Sequence, residues 1–159
     1  MGYTYKIKAA STVIRSGVVT VEGIEPSIAF SAPPEFRGIA GHWTPEHFLV
    51  TAVATCYVST FSSMAEASQL EFLSLDLEAE GILEKEEAGW RFTGISLRPQ
   101  LKVAQEENRE RALRLLEKAK NGCLIARSLN CCVLLSAEIN TEESLRQPEK
   151  VEDSVAVAT

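Results

Sequence analysis

Positive charge is in short supply in this chain. Sixteen Lys and Arg stand against 22 Asp and Glu, for a net charge of −6. That balance gives no electrostatic footprint for nucleic acid, and no Lys/Arg run suggests a basic arm or a helix lying on a membrane. Histidine is scarcer still, at two residues, and no C-x-x-C spacing joins any of the four cysteines. A metal held by clustered His and Cys is therefore not expected, and no motif asks for a cofactor. An apolar leader is also missing, because MGYTYKIKAAST lacks the hydrophobic region of a signal peptide. Lys6 stands where a myristoylation signal has Ser or Thr. The longest apolar run is interrupted by Thr, Ser and Glu, which argues against a membrane span. A cytoplasmic protein without membrane or nucleic-acid partners is the expectation.

What is present is an ordinary globular composition, 45% apolar and 24% charged over 159 residues, enough for one domain with one core. The stretch from Trp43 to Leu70 dominates it. Thr44 reads as an N-cap, Pro45 as the first helical residue and Glu46 as a carboxylate near the positive end of the dipole. Phe48, Leu49, Val50, Ala52, Val53, Cys56, Tyr57 and Phe61 follow without keeping to one stripe, the mark of a buried helix. Before it, Tyr3–Lys8, Val18–Val21 and Ser27–Ser31 read as strands, with a turn at Arg15-Ser16-Gly17 and a Pro/Gly-rich loop, APPEFRGIAG, leading into the helix. After it, Leu73–Leu83 and Trp90–Arg98 read as a hairpin, with Pro99 at an edge or bulge. Gln105–Lys120 is an amphipathic helix with the stripe Ala112, Leu115, Leu116, Ala119. Asn121-Gly122 ends it, Cys123 opens a further helical turn, and Cys132–Ile139 is a last strand. The order β-β-β-α-β-β-α-α-β implies an α+β fold, an antiparallel sheet wrapping a buried helix over residues 1–140. Residues 141–159 read as a polar tail, mobile or lying on a partner subunit. One sheet cannot cover every face of such a helix, so a homodimer is expected.

Three features together resemble the OsmC/Ohr family of thiol peroxidases. They are Pro45-Glu46 at the start of the long helix, Cys56 ten residues after that Glu, and Cys123 just after the next amphipathic helix. The resemblance spans residues 3–139. It implies an intertwined homodimer that reduces small hydrophobic organic hydroperoxides. The resulting disulfide is then re-reduced by a dithiol such as a lipoylated protein.

On that reading Cys56 is the attacking thiol and Cys123 the resolving one. Only a thiolate cuts the O–O bond, and the sulfenic acid so formed must be trapped before it over-oxidises. A cysteine in mid-helix gets no help from its own helix N-terminus, so a cation is required. Arg37, pinned by Glu46, is the preferred cation; Arg15, in the first hairpin turn, is the alternative that another branch of the family uses. Phe36, Trp43, Phe48 and Tyr57 would wall an apolar substrate pocket. The chain departs from the family at Trp43, usually small and polar, and at Leu124 and Arg127, usually Pro and an amide. Arg127 is one turn from Cys123 and could stabilise its thiolate. Taken singly, Cys56 reads as a small inert hydrophobe, Cys131 and Cys132 as packing residues, and His42 and His47 as solvated. Two rival functions remain: a hot-dog-type acyl-thioester hydrolase using Glu46, and a ligand-binding dimer without chemistry.

Overall fold

A computed structural model of the chain describes residues 2–142. It divides into two units, Met1–Val53 and Ala54–Thr159, with the division falling inside the long helix.

In the first unit β1 (Lys8–Val13), β2 (Ser16–Val21) and β3 (Ile24–Ser31) form an antiparallel sheet in that order. The first strand lies further along the chain than its alternation suggested. Tyr3, Tyr5 and Ile7 fall outside the sheet and are exposed. Register decides this: the turn is at Ile14-Arg15, pairing starts at Lys8 opposite Thr20, and β2 stops at Val21. Little of β2 is left to pair with Tyr3–Ile7. The turn was hard to see because Arg15, not Gly, takes the left-handed conformation, at φ 65°. Ala9, Val19 and Ile28 form one cross-strand row, and the Phe30 ring lies over Gly17, where an added Cβ would meet it at 2.9 Å. Ser16, Gly17 and Ser31 are the buried residues of this sheet, and the rest of its described side chains are half-buried or exposed.

The long helix α1 spans Pro45–Ala67. Thr44 caps it as expected, its Oγ1 accepting from the His47 N–H at 3.3 Å. His47 returns the bond, its Nδ1 accepting from the Thr44 N–H at 3.2 Å. This is the reciprocal arrangement in which Glu or Gln normally serves. His47 was expected to be merely solvated. Val53, Tyr57, Phe61 and Ala65, spaced by four, are fully buried, while the other apolar faces of α1 are only half-covered by this chain. By length and composition α1 would reach across a bilayer, a test that core helices of soluble proteins also pass.

In the second unit β4 (Ser74–Glu86) and β5 (Gly89–Val103) make a long antiparallel hairpin. Then come α2 (Arg109–Gly122), α3 (Leu124–Arg127), β6 (Cys132–Leu135) and β7 (Glu138–Thr141). Ile95, Leu97, Pro99, Leu101 and Val103 bury one face of β5, and Ala112, Leu115, Leu116 and Ala119 are the buried stripe of α2. The expected single last strand is two strands, and both run parallel to β5, so this second sheet is mixed. Pro99 explains the break. The Leu97 carbonyl accepts from Ser136 N at 2.9 Å, so residue 99 turns its backbone the same way, two residues on. β6 ends opposite Leu97 and β7 begins opposite Gln100, leaving the missing N–H of Pro99 in the gap. Thr141, expected at the start of the tail, belongs to β7. The remainder of that expected tail, 143–159, lies outside the described residues.

Candidate redox site

α1 sets Cys56 and Thr60 one turn apart, and the Thr60 hydroxyl lies 2.8 Å from the Cys56 carbonyl oxygen. α2 runs up to this point and ends against it. A Cβ on Gly122 would come within 2.9 Å of Met64 Cε and 3.4 Å of Thr60 Cγ2. Gly122 therefore serves close helix approach, not the left-handed cap expected of it, and it remains helical. Cys123 breaks the helix with extended backbone, φ −64° and ψ 113°. It then caps α3, its Sγ accepting from the Ala126 N–H at 3.5 Å.

This chain path brings the two thiols together at the start of α3. Cys56 is half-buried and Cys123 fully buried, and both are free thiols. Burial resists ionisation of Cys56. The Ile125 N–H, the Cys123 thiol, the Thr60 hydroxyl and the Leu124 N–H outweigh it, and the thiol pKa falls below its ordinary value. The hydroxyl carries one proton, so it serves either the Cys56 carbonyl or the sulfur at a given moment. Cys123 goes the other way. Burial and the neighbouring Cys56 outweigh the N–H groups of Ala126 and Ile125, and its pKa rises.

Two expectations change here. A mid-helix cysteine does draw on a helix start, but on that of α3, not its own. Thr60, Leu124 and Ile125 were missed because their contribution is a hydroxyl and two backbone N–H groups that no side-chain pattern announces. The one visible hint was a helical turn opening directly at Cys123. Tyr57, expected in a pocket wall, is a core residue: it is fully buried and its hydroxyl donates to the Leu116 carbonyl at 3.2 Å. Cys131 is half-buried and Cys132 exposed, with the Cys132 Sγ 3.6 Å from the Thr93 carbonyl oxygen.

The remaining candidates lie in the first unit. Arg37 follows the 3₁₀ turn Pro34–Phe36 and is exposed, in the left-handed conformation at φ 63°. Arg15 is left-handed and exposed as well. Their turns adjoin through Ser31. The Arg15 carbonyl accepts from Ala32 N at 2.8 Å, and Ser31 Oγ accepts from Ile39 N at 2.8 Å and lies 3.0 Å from Ser16 Oγ. Gly38 has no room for a Cβ, which would collide with the Ala32 carbonyl. Phe36 is half-buried. Trp43 stacks on Phe48 with ring centroids 5.7 Å apart and meets the edge of His47 at 6.1 Å. Gly41, His42, Trp43 and His47 line a shallow hollow beside it. The Glu46 Oε2 atom is buried and has no hydrogen-bond partner among the described residues.

Residues 38–138 match the family model described as OsmC-like protein. The chain belongs to the OsmC family. YmaD, an uncharacterized protein of Bacillus subtilis strain 168, is 30% identical over 131 residues, which is 80% of this chain and 87% of YmaD. Among solved structures, an OsmC-like protein of unknown function from Vibrio cholerae superposes with a TM-score of 0.77 at 21% identity, covering 86% of this chain and 99% of that one. The organic hydroperoxide resistance protein OsmC of Legionella pneumophila gives 0.69 at 21% identity, with 87% and 97% covered. OhrB of Bacillus subtilis, an organic hydroperoxide resistance protein, gives 0.64 at 20% identity, with 87% and 98% covered. At these identities the solved structures establish the OsmC fold.

Proposed function

We propose that this OsmC-family protein reduces organic hydroperoxides, with Cys56 attacking and Cys123 resolving. The observation that carries the reading is the pair of adjacent free thiols whose surroundings push their pKa values apart. Such divergence is how sites assign different roles to like groups. Fold neighbours named as organic hydroperoxide resistance proteins support it.

The Cys56 thiolate attacks the terminal peroxide oxygen. The O–O bond breaks, the sulfur becomes a sulfenic acid, and the alkoxide leaves as an alcohol after taking a proton. Cys123 then attacks the Cys56 sulfur. The S–S bond forms, and hydroxide leaves with the Cys123 proton as water. A dithiol, such as that of a lipoylated protein, restores both thiols by exchange. Arg37 held by Glu46 is the preferred cation toward the thiolate, with Arg15 the alternative. Phe36, Trp43 and Phe48 are the proposed apolar contacts for substrate. The working unit is a homodimer in the cytoplasm, where thiols stay reduced.

Consumption of cumene hydroperoxide with a dithiol reductant tests this. Cys56→Ser should abolish turnover, and Cys123→Ser should allow one equivalent and then accumulate oxidised Cys56. Wild-type turnover by Cys56→Ser would overturn the assignment.

A further inference from the structure

A third thiol lies in a cleft of its own. The end of α2, α3 and the start of β6 border an open, shallow cleft of about 210 Å³ lined by Lys120, Asn121, Ala126, Arg127, Cys131 and Val133. In a chain of net charge −6 this lining holds two cations and no carboxylate. Lys120 is only loosely engaged, its Nζ 3.5 Å from Glu117 Oε2. The Arg127 guanidinium has no ion pair among the described residues. Its side chain lines this cleft from α3. Asn121 adds an amide, and Cys131 is half-buried.

We propose that this cleft is a thiol–disulfide exchange site for small disulfides that carry carboxylates, with Lys120 and Arg127 holding the carboxylates and Cys131 exchanging. The Cys131 thiolate attacks one sulfur of R–S–S–R. The ligand S–S bond breaks, a Cys131–S–S–R bond forms, and R–S⁻ leaves and takes a proton from solvent. Cys131 is oxidised as half of the ligand is reduced, so no further oxidant is needed. Two nearby cations favour an anionic ligand in the cleft. The inference is independent of the peroxidase reading, because it uses neither Cys56 nor Cys123.

The test exposes the reduced full-length protein to oxidised glutathione or to cystamine, a disulfide bearing amines instead of carboxylates. Adducts are mapped by peptide mass, and each rate is divided by that of the same disulfide with a free small thiol. Cys131 should favour oxidised glutathione by about fivefold, the factor for one close charge pair in water, and high salt should remove the preference. Arg127→Ala should lower the glutathione rate by a similar factor. Equal or faster reaction with cystamine would overturn the proposal, as would labelling of the more exposed Cys132 ahead of Cys131. Both of those comparisons use the wild-type protein, so they hold even if the variant folds poorly.

Discussion

A proton on Cys123 and none on Cys56 is the arrangement that the surroundings of the two sulfurs favour. The depressed Cys56 pKa keeps the thiolate as pH falls below the usual thiol value of about 8.5, and reactivity is lost only as pH drops through the folded value. Iodoacetamide alkylation of Cys56, followed by peptide mass against pH, should therefore have its midpoint below that of a free thiol. Thr60→Val and Cys123→Ala each remove a donor and should move it up. A midpoint unchanged in Thr60→Val would mean that the hydroxyl proton stays on the Cys56 carbonyl. Tyr57 carries a second pH effect. Burial and the charge of Glu117 raise its pKa far above the ordinary value. The folded state thus keeps a proton that the unfolded chain gives up near pH 10, so stability falls as pH rises above about 10. Tyr57→Phe should remove that alkaline loss in urea titrations, at a cost near neutrality of about 1 kcal/mol for the bond to Leu116. Cys56 and Cys123 could be picked from their spacing and the family resemblance. The groups that tune them could not, because backbone N–H groups have no residue identity.

Among the elements, α1 and α2 were readable where chemistry and period agreed: Thr44-Pro45-Glu46 at one start, Ala112 to Ala119 along one face. The reciprocal cap at Thr44 sharpens this into an experiment. Thr44→Ala should destabilise the fold by about 1 kcal/mol in urea unfolding. His47→Gln should cost less than His47→Ala, because Gln can return the bond to the Thr44 N–H. Equal losses for the two His47 variants would show that the ring nitrogen contributes nothing to the cap. Strands were read less well, for reasons that lie outside each strand. Tyr3–Ile7 alternates correctly but has almost no partner once the turn at Ile14-Arg15 sets the register. The run from Cys132 to Ile139 is mostly apolar, and its break answers to Pro99, more than thirty positions away.

At the scale of the molecule, apolar surface is left uncovered by this chain, and the proposed dimer would bury it. α1 buries one stripe, Val53 to Ala65, while Ile14, Ile24 and Ile28 are exposed at 82%, 61% and 39% in or beside the first sheet. Sedimentation equilibrium at micromolar concentration should return twice the chain mass. Ile28→Lys, on the Ala9–Val19–Ile28 row, should shift the balance toward monomer. A folded wild-type monomer under those conditions would refute the dimer. The gap opposite Pro99 has a consequence in time. β5 is a single long template, but β6 and β7 are separate four-residue ladders on it, so one can open while the other stays closed. β6 follows α3, the turn that Cys123 caps, across residues 128–131, whereas β7 is tied to α2 by Arg109, which donates to the Ile139 carbonyl at 2.8 Å. In deuterium exchange the amides of β6 should therefore open with α3 and those of β7 with α2, as two cooperative units. Closing a disulfide at Cys123 would then be felt in the exchange rates of Cys132–Leu135, while Glu138–Thr141 kept time with the core.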